Sequence, residues 1–294
     1  LANPTIGIIG GSGLYDMEGV TDLERVAVDT PFGPTSDDIA VGSLDGHRVA
    51  FLSRHGRGHR LAPHEIPYLA NIWALKKLGV RWLISVSAVG SMREAIAPGE
   101  LVMVDQFIDR TRARQSTFFQ EGVVAHVSFA DPVCGLLRSA LCDAASSTDV
   151  RFHDGGTYVC IDGPQFSTRA ESLLFRSWGV SVIGMTNLPE ARLAREAQIA
   201  YATIALATDY DCWHQSEDEV SVAAVVAIMK SNVANAQRVI RSALPRIAQL
   251  GPSPAFSALQ HATMTSPDAI PPDASRRLEL LLGDREFHTS EGAQ

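Results

Sequence analysis

The sequence predicts an α/β protein with a mixed central β-sheet flanked by helices. Short apolar runs of strand length alternate with segments whose apolar residues recur at helical spacing. Asp45-Gly46, set between the β-like runs 39–41 and 49–52, predicts a type I′ hairpin, so part of the sheet is antiparallel. The length of 294 residues with 46% hydrophobic content is enough to bury a large core.

The elements follow in order. Residues 5–9 form a buried strand feeding the turn Gly10-Gly11-Ser12-Gly13. Ile66, Leu69, Ala70 and Trp73 share one helical face, and Gly79 suits the C′ position that ends that helix. Runs 82–86 and 101–104 are strands, as is 158–161. Thr168 with Glu171 makes a capping box opening a helix to about Trp178. After a strand at 180–184, Asn187 with Glu190 makes a second capping box, with Pro189 in the first turn, for a helix to about Ala197. Run 199–207 is apolar enough for a central strand, and Ser221 caps a long helix that Pro245 kinks or ends. Residues 1–250 read as one domain. Residues 251–294, richer in Pro and Ser and weakly periodic, read as a C-terminal appendage.

The net charge of −8 argues against a nucleic-acid partner, whose phosphates need a basic footprint. No apolar run reaches the roughly 18 residues of a membrane span. The opening LANPTIGIIGG lacks the basic start and long apolar core of a secretory signal. Cys134, Cys142, Cys160 and Cys212 show no metal-binding spacing and read as buried free thiols of a reducing cytosol. These features predict a cytoplasmic protein.

Ligands of α/β sheets gather at the carboxyl ends of strands. Five apolar runs here end in small, polar or charged residues: Gly10 to Gly13, Ser53-Arg54-His55-Gly56, Ser87-Ala88-Val89-Gly90, Met185-Thr186-Asn187, and Thr208-Asp209-Tyr210-Asp211. The glycine turn is not a dinucleotide fingerprint, because Asp16 stands where the third glycine belongs. It reads either as a plain strand-to-helix turn or as a phosphate cradle of backbone N–H groups. Arg54 is either a solvated strand-end charge or a planar cation for an oxyanion. Ser87 and Thr186 are turn or cap residues, or hydroxyls at a site. Asp209 and Asp211, pointing the same way if the chain is extended, are a turn, a carboxylate pair that reads hydrogen-bond donors and shuttles a proton, or metal ligands. No convincing co-ligands stand nearby for a metal.

At these residues the chain resembles the 5′-methylthioadenosine phosphorylases of the trimeric purine nucleoside phosphorylase superfamily. The resemblance spans about residues 5–245. It is carried by the segments 7–14 (GIIGGSGL), 53–56 (SRHG), 70–76 (ANIWALK), 105–111 (DQFIDRT), 163–171 (GPQFSTRAE) and 207–213 (ATDYDCW). It implies a nucleoside phosphorylase sheet, a homotrimer, and inorganic phosphate as co-substrate without a metal or organic cofactor. By motif, Ser12, Arg54, His55, Ser87, Ala88 and Thr186 would line a phosphate site. Phe166 and Met185 would pack on purine and ribose. Asp209 and Asp211 would face the base edge as the catalytic pair, and Val220, Val222 and Val225 would shape an apolar 5′ pocket. His126 would reach a neighbouring subunit's site. The expected reaction is phosphorolysis of 5′-methylthioadenosine. A 6-oxopurine or methylthioinosine phosphorylase and a non-catalytic nucleoside-binding protein are the alternatives. Asp209, where 6-oxopurine enzymes usually carry asparagine, favours adenine.

Overall fold

A computed structural model describes residues 5–11, 14, 18–214 and 222–283, with residues 222–226 given by backbone alone. The first strand, β1 (Ile6–Gly10), is fully buried and pairs in parallel with β4 (His47–Ser53) on one side and β5 (Trp82–Ser91) on the other. A meander of β2 (Val20–Val26), β3 (Ile39–Leu44) and β4 extends the sheet antiparallel. Its tight turn is Asp45-Gly46, both residues at positive φ (50° and 82°), as a type I′ hairpin requires.

The helix α1 (Tyr68–Lys77) starts two residues after Ile66, because Pro67 disfavours helical backbone in the residue before it. It ends in a Schellman motif: Gly79 at φ 95° donates to the Lys76 carbonyl and Val80 to that of Leu75. The shorter strands β6 (Leu101–Met103), β7 (Gln106–Asp109), β8 (Phe152–Asp154), β9 (Thr157–Cys160) and β10 (Val182–Gly184) complete the sheet with β11 (Ala200–Asp209). The whole is one eleven-stranded mixed sheet.

β11 is buried on both faces and alternates between them. Ala200, Ala202, Ile204 and Leu206 face the layer of α2 (Gly135–Ser146) and α5 (Val222–Ile247). Tyr201, Ala205 and Ala207 face the layer of α1 and α4 (Asn187–Glu196). Another helix, α3 (Arg169–Ser177), lies with the short 3-10 turn Asp211–Trp213 that follows β11. α5 runs two residues past Pro245 before it stops. Beyond it, Leu259 and Ala262, between two 3-10 turns, and Leu278 and Leu281 of α6 (Pro272–Leu282) enter the same buried cluster as α1 and α4. The segment set apart in the sequence thus shares the core as far as it is described. The proposed cap Ser221 lies outside the described residues. No described helix is long and apolar enough to cross a membrane.

One topological feature opens the sheet. β5 pairs with β11 along nearly its whole length, but on its other edge it pairs with β1 only as far as Ser85 and with β10 only from Gly90. Between them, residues 86–89 have no strand on that edge among the described residues. A cleft forms where β1 ends and β10 has yet to arrive, the kind of crevice in which sheet proteins bind ligands.

Candidate active site

The gap beside β5 is a cleft of about 500 Å³. It is lined by β1 through Gly11, by β4 through Arg54 and His55, and by β5 through Val86 to Gly90. β10 contributes Gly184, Met185 and Thr186, and β11 contributes Leu206, Thr208, Asp209 and Asp211. All five polar strand endings of the sequence therefore meet in one place. Ser12 and Val220 lie outside the described residues, and of Val222 and Val225 only the backbone is described. Phe166 lines the cleft from its rim, 84% exposed. His126 does not line it: it is an exposed residue whose N–H donates to the Ala262 carbonyl.

At one end lie hydroxyls. Ser87 Oγ is 3.1 Å from Thr186 Oγ1 and 3.3 Å from the Tyr158 hydroxyl. Tyr158 reaches this point because residue 184 is glycine; a Cβ there would sit 2.0 Å from its phenolic oxygen. His55 is buried, its Nδ1 2.8 Å from the Leu61 carbonyl oxygen and its ring stacked on His59 at 4.2 Å between centroids. Burial, with Arg54 and His59 close by, lowers the His55 pKa to about 4 against the pull of the Leu61 carbonyl.

Arg54 departs from expectation. It lines the cleft, but two nitrogens of its planar fork are taken by Glu190, a fully buried residue of α4: Nε lies 2.6 Å from Oε2 and Nη2 2.9 Å from Oε1. Nη2 also donates to Ser85 Oγ (2.7 Å) and Nη1 to the Val86 carbonyl (2.9 Å), which leaves one Nη1 hydrogen without a partner among the described residues. Burial by itself would lower the Arg54 pKa; the facing carboxylate reverses this and keeps the guanidinium charged. The physical reason for the redirection is that an unpaired charge this deep is far costlier than a pair.

The second expected capping box is absent for the same reason. Thr186, not Asn187, is the N-cap of α4, and it makes no side-chain cap. Asn187 turns inward and donates to Ser85 and Thr203 at 3.1 and 3.0 Å, and to Tyr201. Leu188 is extended (φ −122°, ψ 132°), so no regular first turn exists for a cap to close.

At the other end lies the carboxylate pair. The chain is not extended through it: Asp211 has φ 51° and opens a 3-10 turn, yet both side chains reach the cleft. Asp209 Oδ1 accepts from the Asp211 N–H (2.8 Å), and Oδ2 lies 2.7 Å from Thr208 Oγ1, which is also 3.2 Å from the Val89 carbonyl. Thr208 has a single hydrogen. It serves one of these two oxygens at a time. Gly90 makes room, because a Cβ there would lie 3.1 Å from Asp209 Oδ1 and 3.2 Å from Asp211 Cβ. Burial raises the Asp211 pKa, opposed by the hydrogen bond from Ser172 and the Cys212 N–H, with Asp209 adding repulsion. Among the described residues no cluster of His, Cys, Asp or Glu is arranged to hold a metal.

Several contributors stand outside the motifs that mark the site in the sequence. Met229 and Val233 of α5 line an apolar wall. Spaced 222, 225, 229 and 233, they continue the helical stripe begun by the two valines, which was the signal for them. Arg114 clamps the loops behind the cleft by donating to the carbonyls of Asp162 (2.7 Å), Met185 (2.8 Å) and Leu188 (2.7 Å). No local pattern marks it, since its partners lie about fifty to seventy residues away.

The sequence matches the phosphorylase superfamily over residues 5–245. It is 60% identical over 279 residues to the S-methyl-5′-thioadenosine phosphorylase of Geobacter sulfurreducens, covering 95% of this chain and 98% of that one. The crystal structure of a methylthioadenosine phosphorylase from an Antarctic soil metagenomic library superposes with a TM-score of 0.92 at 51% identity, covering 96% of this chain and 99% of that one. The methylthioadenosine phosphorylase of Schistosoma mansoni in complex with adenine matches with a TM-score of 0.78 at 35% identity, covering 84% and 92%. With its five strand ends gathered in one cleft, a family match over residues 5–245 and a relative 60% identical over 95% of its length, the chain belongs to the phosphorylase superfamily.

Proposed function

We propose that the chain catalyses the phosphorolysis of 5′-methylthioadenosine to adenine and 5-methylthioribose 1-phosphate. The observation that carries this reading is one cleft with three chemistries. Hydroxyls and an imidazole stand at the ends of β4, β5 and β10, carboxylates at the end of β11, and an apolar wall on α5. The relatives named for this activity are up to 60% identical along nearly the full chain.

A phosphate oxygen forms its bond to C1′ of the ribose as the bond from C1′ to N9 breaks. The bonding pair passes into the purine, and the sugar goes through an oxocarbenium-like state that the anion stabilises. Ser87, Thr186, His55 and the backbone of the glycine turn hold the phosphate, with Arg54 supplying charge and one hydrogen. Asp209 accepts from the 6-amino group and gives a proton to N7, and solvent restores it. Met185 and Phe166 cover base and ribose, and Met229 and Val233 meet the methylthio group. The reaction uses inorganic phosphate as co-substrate and no metal or organic cofactor. The resemblance further implies a homotrimer in which the exposed His126 reaches a neighbour's cleft, and the cysteine usage a cytoplasmic one; sedimentation that finds a fully active monomer would refute the assembly.

The test is adenine release from 5′-methylthioadenosine with and without phosphate or arsenate. Release only with the oxyanion is expected; equal release without it would make the chain a hydrolase. Asp209→Asn is expected to lower kcat/KM for methylthioadenosine by at least about tenfold, the equivalent of one hydrogen bond, and to raise the relative rate on methylthioinosine. Full activity with unchanged base preference would remove Asp209 from the chemistry.

A further inference from the structure

We infer that His55 meets the oxyanion as a hydrogen-bond acceptor, so that the site takes an oxyanion carrying a hydroxyl, phosphate or arsenate, and discriminates against sulfate. This rests on the phosphorolytic reading of the cleft.

The argument begins with Leu61. Its carbonyl oxygen lies 2.8 Å from His55 Nδ1, and a carbonyl can only accept, so Nδ1 carries the ring hydrogen. The same two residues are tied a second time, the Leu61 N–H donating to the His55 carbonyl at 3.1 Å. Stacking on His59, with the planes 12° apart, holds the other face of the ring. The imidazole is thus fixed in orientation, and Nε2 is the nitrogen left for a ligand. Among the described residues Nε2 has no partner.

A ring with hydrogen on Nδ1 presents a lone pair at Nε2 unless it gains a second proton. The surroundings oppose that gain: the ring is buried, Arg54 adjoins it and His59 stacks on it, while Glu190 is committed to Arg54. A lone pair accepts from a P–OH or As–OH group and repels a bare oxygen. At neutral pH phosphate and arsenate carry such a hydroxyl and sulfate carries none. The other groups do not discriminate. Ser87 and Thr186 hydroxyls rotate to donate or accept, and Arg54 has one hydrogen without a partner among the described residues.

The experiment measures competition by sulfate against phosphate in the methylthioadenosine assay at mildly alkaline pH, where both anions are largely divalent. An inhibition constant for sulfate at least about tenfold above the KM for phosphate is expected, since it leaves a buried acceptor unpaired. A smaller ratio overturns the inference. In His55→Gln, whose amide can donate as well as accept, the ratio is expected to fall toward unity; retention of the native ratio by the folded variant also overturns it. Nitrogen-15 NMR of the phosphate complex gives a readout independent of turnover. A neutral Nδ1–H ring supports the inference, and an imidazolium that donates to the anion refutes it. Absence of any phosphate-dependent cleavage by the native chain would instead defeat the proposed function.

Discussion

Thr168 with Glu171 and Asn187 with Glu190 are the same local pattern, a capping residue and a glutamate three positions on, and they end in opposite surroundings. At the start of α3 the pattern closes on itself at the exposed surface. The Glu171 N–H donates to Thr168 Oγ1 at 3.2 Å and the Thr168 N–H to Glu171 Oε2 at 2.8 Å. At the start of α4 both side chains are fully buried and neither serves the helix. Asn187 bonds to Ser85 and Thr203, and Glu190 grips Arg54. A cap is worth about 1 kcal/mol, whereas a buried guanidinium without a counter-ion costs several. Where burial brings the two into competition, the charge wins. The motif states which groups are available; depth decides what they bind.

This contrast can be broken at either end. Glu190→Ala should be the most damaging change, lowering stability by about 3–5 kcal/mol because it strands a buried Arg54. Denaturant titration checks it, and a loss as small as that of a surface cap would erase the distinction. The double variant Arg54→Met with Glu190→Leu should recover most of that stability while phosphate use stays impaired, separating charge burial from function.

Asn187→Ala comes next, at about 1–3 kcal/mol, for it leaves Ser85 and Thr203 short of a buried donor. Thr168→Ala follows at about 1 kcal/mol, the cost of an exposed cap; a thermal shift equal to that of Asn187→Ala would contradict the ranking. The smallest effect belongs to Glu171. The Thr168 N–H and then its hydroxyl hold this carboxyl below its usual 4.5. A folded pKa below the unfolded one gives stability that is present above about pH 4.5 and lost as pH falls through the folded value. Glu171→Gln should flatten that acid loss slightly, and an unchanged acid profile would show the box contributes no linkage.

The same division runs through the rest of the molecule. Asp45-Gly46, Gly79 and Thr168 were legible because each acts within a few residues, where backbone dihedrals and adjacent donors suffice. The period of the β11 run and the polar strand endings were legible for a related reason: alternation along a strand fixes which side chains share a face, and α/β sheets present their strand ends together. The sequence alone therefore determined the mixed α/β class, the hairpin, the order of most strands and helices, and the five segments that line the cleft. Tertiary structure alone decided what lies behind them. It opened the gap beside residues 86–89 by ending β1 and starting β10 on the same edge of β5. It tied the Arg54 fork to Glu190, recruited Arg114 across the loops, and fixed which nitrogen of His55 bears its hydrogen. Each of these depends on a partner distant in sequence or on the cost of leaving a polar group unpaired in the interior, and neither is written in the spacing of neighbouring residues.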